Sequence, residues 1–235
     1  MKISKWTVAL TGASGMPYAL RLLRYMAETG QGAHIVISEA ACRVLKEEHG
    51  VQISLRRPSI ESLLGESYPN FEFSDPRDIG AAAASGVALA DGMVVVPCSM
   101  ASLAAIAHGY AGTLIHRAAD VTIKEGRRLI LVPRETPLSQ IHLANMQRLA
   151  EVGATILPAM PGFYHNPSSI DELVDLLVMK ILDAMGIENQ LVPRWPEQLG
   201  AQHLRSEHSL ELTEGESTEG KMEGKVVEFA KNVTR

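Results

Sequence analysis

Metal-ligand spacing is missing from this chain. Its two cysteines, Cys42 and Cys98, form no CxxC pair and belong to no Cys/His cluster. A thiol-based metal centre is thereby excluded, no metal is expected, and two isolated thiols fit a reducing cytoplasm. Basic excess is also missing. Against 22 Lys and Arg stand 27 Asp and Glu, a formal net charge of -5. A general nucleic-acid footprint needs a basic face, so no nucleic-acid partner is expected, although a local basic pocket is still allowed. No run reaches the ~20 apolar residues that span a bilayer. The apolar part of MKISKWTVAL is cut short by Thr11 and Gly12, too early for a signal peptide. No internal repeat is visible.

What is present is an ordinary globular composition: 46% apolar and 21% charged over 235 residues, enough for one sizeable core. Strand and helix patterns alternate. Residues 6–11 (WTVALT) read as a buried strand, 16–29 as a helix stopped by Gly30, 33–38 as a strand and 39–50 as a helix stopped by Gly50. Residues 51–80 are less regular, with a polar-faced strand at 71–75 and a short helix in the loop. Then follow a buried strand at 92–99, helices at 100–109 and 114–126, and a strand at 128–133. Thr136 is expected to cap a helix with Pro137 at its first position. A strand at 155–159 comes next. The last helix, 169–185, carries a Ser169/Glu172 capping box and a stripe of Ile170, Leu173, Val174, Leu177, Ile181 and Leu182. Repeated βαβ units predict a doubly wound, Rossmann-like α/β fold with a mostly parallel sheet. The domain is expected to cover residues 1–198. The stretch 199–235, rich in Glu, Gly, Ser and Thr, is expected to be a mobile acidic tail. Within it, VVEFAKNV (226–233) reads as a frayed terminus or a short helix on a partner.

The TGASG turn at 11–15 follows the first strand, where open α/β sheets bind ligands. Free N–H groups and a helix N-terminus there favour an anion, although a turn without a ligand has the same look. A nicotinamide fingerprint needs G-x-G-x-x-G and an acid ending the second strand. Here the glycine spacing differs and the second strand ends in Ser38, followed by Glu39. Ser38 can donate to a phosphate or ribityl chain, or merely cap the next helix. The pattern leans towards a mononucleotide such as FMN. A second strand end repeats the logic: Ser99, Met100, Ala101 and Ser102 open a small-residue helix where a flat ring or phosphate could approach the backbone. Tight packing of a capped helix is the alternative. Cys98 reads as a small buried hydrophobe rather than a nucleophile.

Charge gathers further on. Arg117 and Lys124 are seven apart and share a helix face, towards a ligand or towards solvent. Arg134 and Glu135 leave the strand 128–133 together. The arginine fork suits phosphate oxygens, and the glutamate suits proton transfer. A structural ion pair is the other reading. Tyr164, in PAMPGFYH, could hold a phosphate, wall an apolar pocket or simply pack. Lys180 lies off the apolar stripe and reads locally as a surface lysine.

Taken together, TGASG, Ser38, PCSMASL, IHRAADVTIKE, LVPRETPLS, ILPAMPGFYH and PRW resemble the UbiX-type flavin prenyltransferases from about residue 5 to Trp195. VPRETP followed by PGFYH is the most specific part. Flavin-dependent cysteine decarboxylases share the fold and FMN but lack this set. The resemblance implies transfer of a dimethylallyl group from dimethylallyl phosphate to N5 and C6 of reduced FMN, without a metal. It also implies a dodecamer, and a product that serves a UbiD-type decarboxylase. By position, it assigns Gly12, Ala13, Ser14, Ser38, Ser99, Met100, Ala101, Ser102, Arg117 and Arg134 to FMN. It assigns Lys124, Arg134, Tyr164 and Lys180 to the substrate phosphate, and catalytic roles to Ser14, Glu48, Lys124 and Glu135. Lys180 stands where the family pattern has an arginine. Three other readings are weighed. A peptidyl-cysteine decarboxylase could use His116 as its base, a non-catalytic FMN-binding subunit would not alkylate the flavin, and a nicotinamide reductase is disfavoured by the glycine spacing.

Overall fold

The computed structural model describes residues 5–86 and 90–194. In chain order the elements are β1 (Lys5–Leu10), α1 (Met16–Glu28), β2 (Gly32–Ile37), α2 (Glu39–His49), α3 (Ile60–Leu64), β3 (Phe71–Ser74), β4 (Gly92–Cys98), α4 (Met100–Ala107), α5 (Leu114–Lys124), β5 (Arg128–Pro133), α6 (Gln140–Glu151), β6 (Thr155–Ile156) and α7 (Ile170–Met185). The strands form one parallel sheet in the order β3-β2-β1-β4-β5-β6. Chain order reverses between β1 and β4, so a crevice opens at the carboxyl ends of those two strands.

Both faces of the sheet are covered, which is why its strands read as unbroken apolar runs. Alternate residues serve opposite layers. Val8, Leu10, Ile35, Ile37, Val94, Val96, Ile130 and Val132 pack with α1 and α7. Ala9, Val36, Met93, Val95, Leu129 and Leu131 pack with α4, α5 and Leu149 of α6. An Arg21–Asp175 ion pair at 2.6 Å joins α1 to α7.

The expected elements are present, with four local differences. Helix α6 begins at Gln140, not at Pro137. Ser139 caps it, and the His142 side chain accepts from the Ser139 N–H in return. That reciprocal pair outcompetes Thr136, whose hydroxyl donates instead to the Glu135 carbonyl. Strand β6 is only Thr155–Ile156, although the Leu157 and Ala159 N–H groups still donate to the Leu131 and Pro133 carbonyls of β5 at 2.8 and 2.9 Å. At α7, Ser169 accepts from the Glu172 N–H as expected. The Glu172 carboxylate, however, takes the N–H and hydroxyl of Ser168, so the box does not close on Ser169. Ile170 of the expected stripe is 76% exposed, while Leu176, Val178 and Met179 are buried. One compact unit ends at Val192. The expected boundary at 198, the tail 199–235 and Trp195 lie outside the described residues.

Candidate active site

Thr11 ends the buried run of β1 and is 1% exposed. Its hydroxyl donates to the Pro97 carbonyl at 2.8 Å and accepts from the Ser99 N–H at 2.7 Å. The Thr11 N–H donates to the same carbonyl at 3.2 Å. The two strand ends that flank the switch point are thus tied by one residue, through its hydroxyl and its N–H.

Beyond Thr11 the chain turns tightly, the Ala13 N–H donating to the Thr11 carbonyl at 2.8 Å. Gly12 faces Ala40 so closely that an added Cβ would overlap it. Gly15 has φ +114°, the left-handed region, and an added Cβ there would stand 3.2 Å from the Tyr18 ring. Both glycines are therefore structural requirements of this loop. Helix α2 follows the loop across the carboxyl edge: Ala40 lies against Gly12, and near the other end Glu48 accepts from the Ser14 hydroxyl at 3.2 Å.

Ser38 caps α2, accepting from the Ala41 N–H at 3.0 Å. A ligand-directed role is compatible with this, since a hydroxyl keeps its own proton to donate. Ser99 is more heavily engaged. Its Oγ accepts from the Ser102 N–H at 3.3 Å and donates to the Ser102 hydroxyl at 3.2 Å. At the start of α4 the orphan donors left for a ligand are therefore the N–H groups of Met100 and Ala101. Arg134 is exposed past the end of β5, and its charge lowers the pKa of the Tyr18 phenol against the larger upward push of burial. It makes no ion pair with Glu135. Glu135 Oε1 accepts instead from the Thr136 N–H at 3.0 Å.

The carboxyl edge thus gathers Gly12, Ala13, Ser14, Ser38, Glu48, Ser99 to Ser102, Arg134 and Glu135. Lys124 and Lys180, by contrast, stand apart from that edge within one chain. Helix α5 begins near the carboxyl end of β3, where the Leu114 N–H donates to the Pro76 carbonyl at 2.8 Å. It ends at Lys124, just before the amino end of β5. Six residues of β5 separate that end from Arg134, about 20 Å along the sheet. Lys124 pairs with Glu125 at 3.6 Å, and Arg117 pairs with Asp120 at 2.9 Å. Helix α7 also runs towards the amino edge, since Arg128 Nη1 donates to the Met185 carbonyl at 3.1 Å. Lys180 is exposed on that descending stretch. Tyr164 is 53% exposed, and an added Cβ on Gly162 would meet both the Tyr164 ring and Leu176. Leu176 precedes Lys180 by one turn, so phenol and ammonium share a side of α7.

Cys98 is fully buried, and desolvation pushes its thiol up to about 12, which makes it inert as a nucleophile. His116 is half-buried, with its pKa lowered by burial and its ring tilted against Tyr110. The sequence reading missed Thr11 and Tyr18. Thr11 had a signal, a polar side chain closing an apolar strand just before the glycine turn. Tyr18 had none, because its place beside Arg134 depends on the sheet.

These loops can hold a phosphate and a flat ring. Two glycines, two free helical N–H groups, the hydroxyls of Ser14, Ser38 and Ser102 and the Arg134 guanidinium lie at one sheet edge, a donor set that fits FMN. The comparisons agree. The sequence profile of the flavoprotein family matches residues 1–182. A flavin prenyltransferase UbiX of Halalkalibacterium halodurans is 47% identical over 193 residues, 82% of this chain and 94% of that protein. A solved structure of AnUbiX in complex with FMN and dimethylallyl pyrophosphate is 38% identical, with a TM-score of 0.75 over 83% of this chain and 98% of that one. A dodecameric FMN-dependent UbiX-like decarboxylase from Escherichia coli is 40% identical, with a TM-score of 0.73 over 81% and 98%. The chain belongs to the flavoprotein family and, within it, to the UbiX flavin prenyltransferases.

Proposed function

We propose that this chain transfers a dimethylallyl group from dimethylallyl phosphate to N5 and C6 of reduced FMN, giving prenylated FMN for a UbiD-type decarboxylase. The observation that carries this reading is the convergence of TGASG, Ser38, the start of α4 and Arg134 on the crevice between β1 and β4. Gly12, Ala13, Ser14, Ser38, Met100, Ala101, Ser102 and Arg134 would hold FMN, with Ser99 setting the start of α4. Reduced FMN supplies the electron-rich acceptor.

The chain's own residues would do the rest. The allylic C–O bond breaks as phosphate leaves, and fixed cations in a water-poor site stabilise that charge. Arg134 is at hand. Arg117, in the first turn of α5, would stand by as a further cation. Lys124, Tyr164 and Lys180 would be brought to Arg134 by neighbouring copies, because Lys124 lies about 20 Å away along its own sheet. Exposed Met160, Phe163 and Tyr164, with Ile141 and Leu143 of α6, support such packing, and a dodecamer is the proposed assembly. Glu48, held by Ser14, and Glu135 would move protons at the reacting centre. Among the described residues no helix is long and apolar enough to cross a membrane. A cytoplasmic site of action is proposed with the two free thiols in view.

The test is direct. The protein is incubated without oxygen with reduced FMN and dimethylallyl phosphate, and the flavin is weighed by mass spectrometry. A flavin heavier by one five-carbon unit supports the reading. An unmodified flavin that is nonetheless bound would leave a binding subunit instead.

A further inference from the structure

We propose that Thr11 is the positioning residue of the flavin crevice: its hydroxyl bridges the carboxyl ends of β1 and β4 and so sets the spacing and aim of the two ligand-facing loops before any ligand arrives. The inference rests on the reading of this crevice as the FMN site.

Ladder pairing between β1 and β4 runs from Trp6↔Gly92 to Ala9↔Val95. Past that point the regular pairing stops, and the register of β4 against β5 slips between Val95 and Cys98. Pro97 has no N–H to give, so a regular bond from β4 back to β1 is impossible at this level. Thr11 compensates by adding two side-chain bonds to the one from its own N–H. The Pro97 carbonyl takes both the Thr11 N–H and the Thr11 hydroxyl proton, and the same hydroxyl oxygen takes the Ser99 N–H. An oxygen that donates once and accepts once has a fixed rotation, so the geometry is specified rather than tolerated.

The consequences run outward on both sides. On the β1 side, the Thr11 carbonyl closes the tight turn to Ala13, and Gly12 and Ser14 follow from it. On the β4 side, the Ser99 N–H is held by Thr11 while the Ser99 hydroxyl caps the Ser102 N–H. The direction of α4's first turn, and hence of the free Met100 and Ala101 donors, is therefore set through Ser99 by Thr11. A buried hydroxyl with one strand-stabilising bond would be a packing detail. Two bonds that reach from one ligand loop to the root of the other make a spacer between them.

The test compares Thr11→Val, which keeps the shape and removes the hydroxyl, with Thr11→Ser, which keeps the hydroxyl. FMN dissociation constants are measured well below each variant's melting temperature, with turnover at saturating FMN beside them. The expected result is about a tenfold or greater rise in Kd for Thr11→Val. Thr11→Ser should restore it to within about threefold, and turnover per bound flavin should change much less than Kd. Equal FMN affinity in Thr11→Val and the wild type would overturn the proposal. If Thr11→Val does not fold, hydrogen exchange of the wild-type Ser99 amide decides. Strong protection without flavin supports a preformed bridge, and protection that appears only with flavin overturns it. Failure of the wild type itself to bind FMN would sink the flavin reading, a different outcome from either.

Discussion

Ser14 and Glu48 meet across the mouth of the crevice, the serine hydroxyl donating to Glu48 Oε2 at 3.2 Å. The pair exists because α2 runs along the glycine loop instead of returning beside the sheet. It puts an exposed carboxylate next to the turn where a flavin phosphate or ring would sit.

Glu48→Gln keeps an acceptor for Ser14 and removes the charge. Turnover should fall about a hundredfold, the usual scale for losing a proton-transfer group. FMN affinity should stay within about threefold. Single-turnover kinetics and flavin fluorescence separate the two, and a dominant loss of affinity would make Glu48 a loop-shaping residue.

Glu135→Gln should behave similarly, because the Thr136 N–H that Glu135 Oε1 accepts can be accepted equally by an amide oxygen. Turnover is expected to drop far more than FMN binding weakens. Equal losses in both would assign Glu135 to structure.

Lys124 lies at the amino edge, so its proposed role on a phosphate would be played in a neighbour's site. Lys124→Ala and Arg134→Ala should each be inactive alone. Dissociated, mixed and reassembled, they should recover activity at about a quarter of the sites, those drawing an intact residue from each kind of protomer. Mixtures as inactive as the parents would place both residues within one chain's site.

Gly12→Ala would drive a methyl group into Ala40 and push α2 off the loop. Overpacking of this kind costs about 1–3 kcal/mol. Thermal unfolding should show the loss, with weakened FMN binding as well. An unchanged melting temperature would mean that α2 yields freely.

Burial lowers the His116 pKa below its usual 6.5. As pH falls through 6.5 the unfolded chain takes up the proton first, so stability present above that value is lost towards the lower folded pKa. The wild type should therefore lose more stability than His116→Gln between neutral pH and pH 5. Parallel melting curves for the two proteins would contradict this.

The alternation of apolar strands with helices was legible because each strand is buried on both faces and each helix has one apolar stripe. Three of the loops at the carboxyl edge, which the proposed function assigns to a ligand, were legible because glycine and serine mark them locally. What escaped the sequence reading depends on three dimensions. Ser139 displaced Thr136 as a helix cap through a side chain three residues on, Ile170 faced outward once α7 docked on α1, and Lys124 proved to lie at the far edge from Arg134. Sharing a segment with active-site residues does not place a residue at the same edge of a parallel sheet.

The most direct measurement is the stoichiometry of one anaerobic turnover. Flavin alkylated and phosphate released are counted together, with dimethylallyl phosphate and limiting reduced FMN. One phosphate should appear for each flavin that gains a five-carbon unit, and none when FMN is oxidised. Phosphate released without flavin alkylation, or with oxidised FMN, would contradict prenyl transfer.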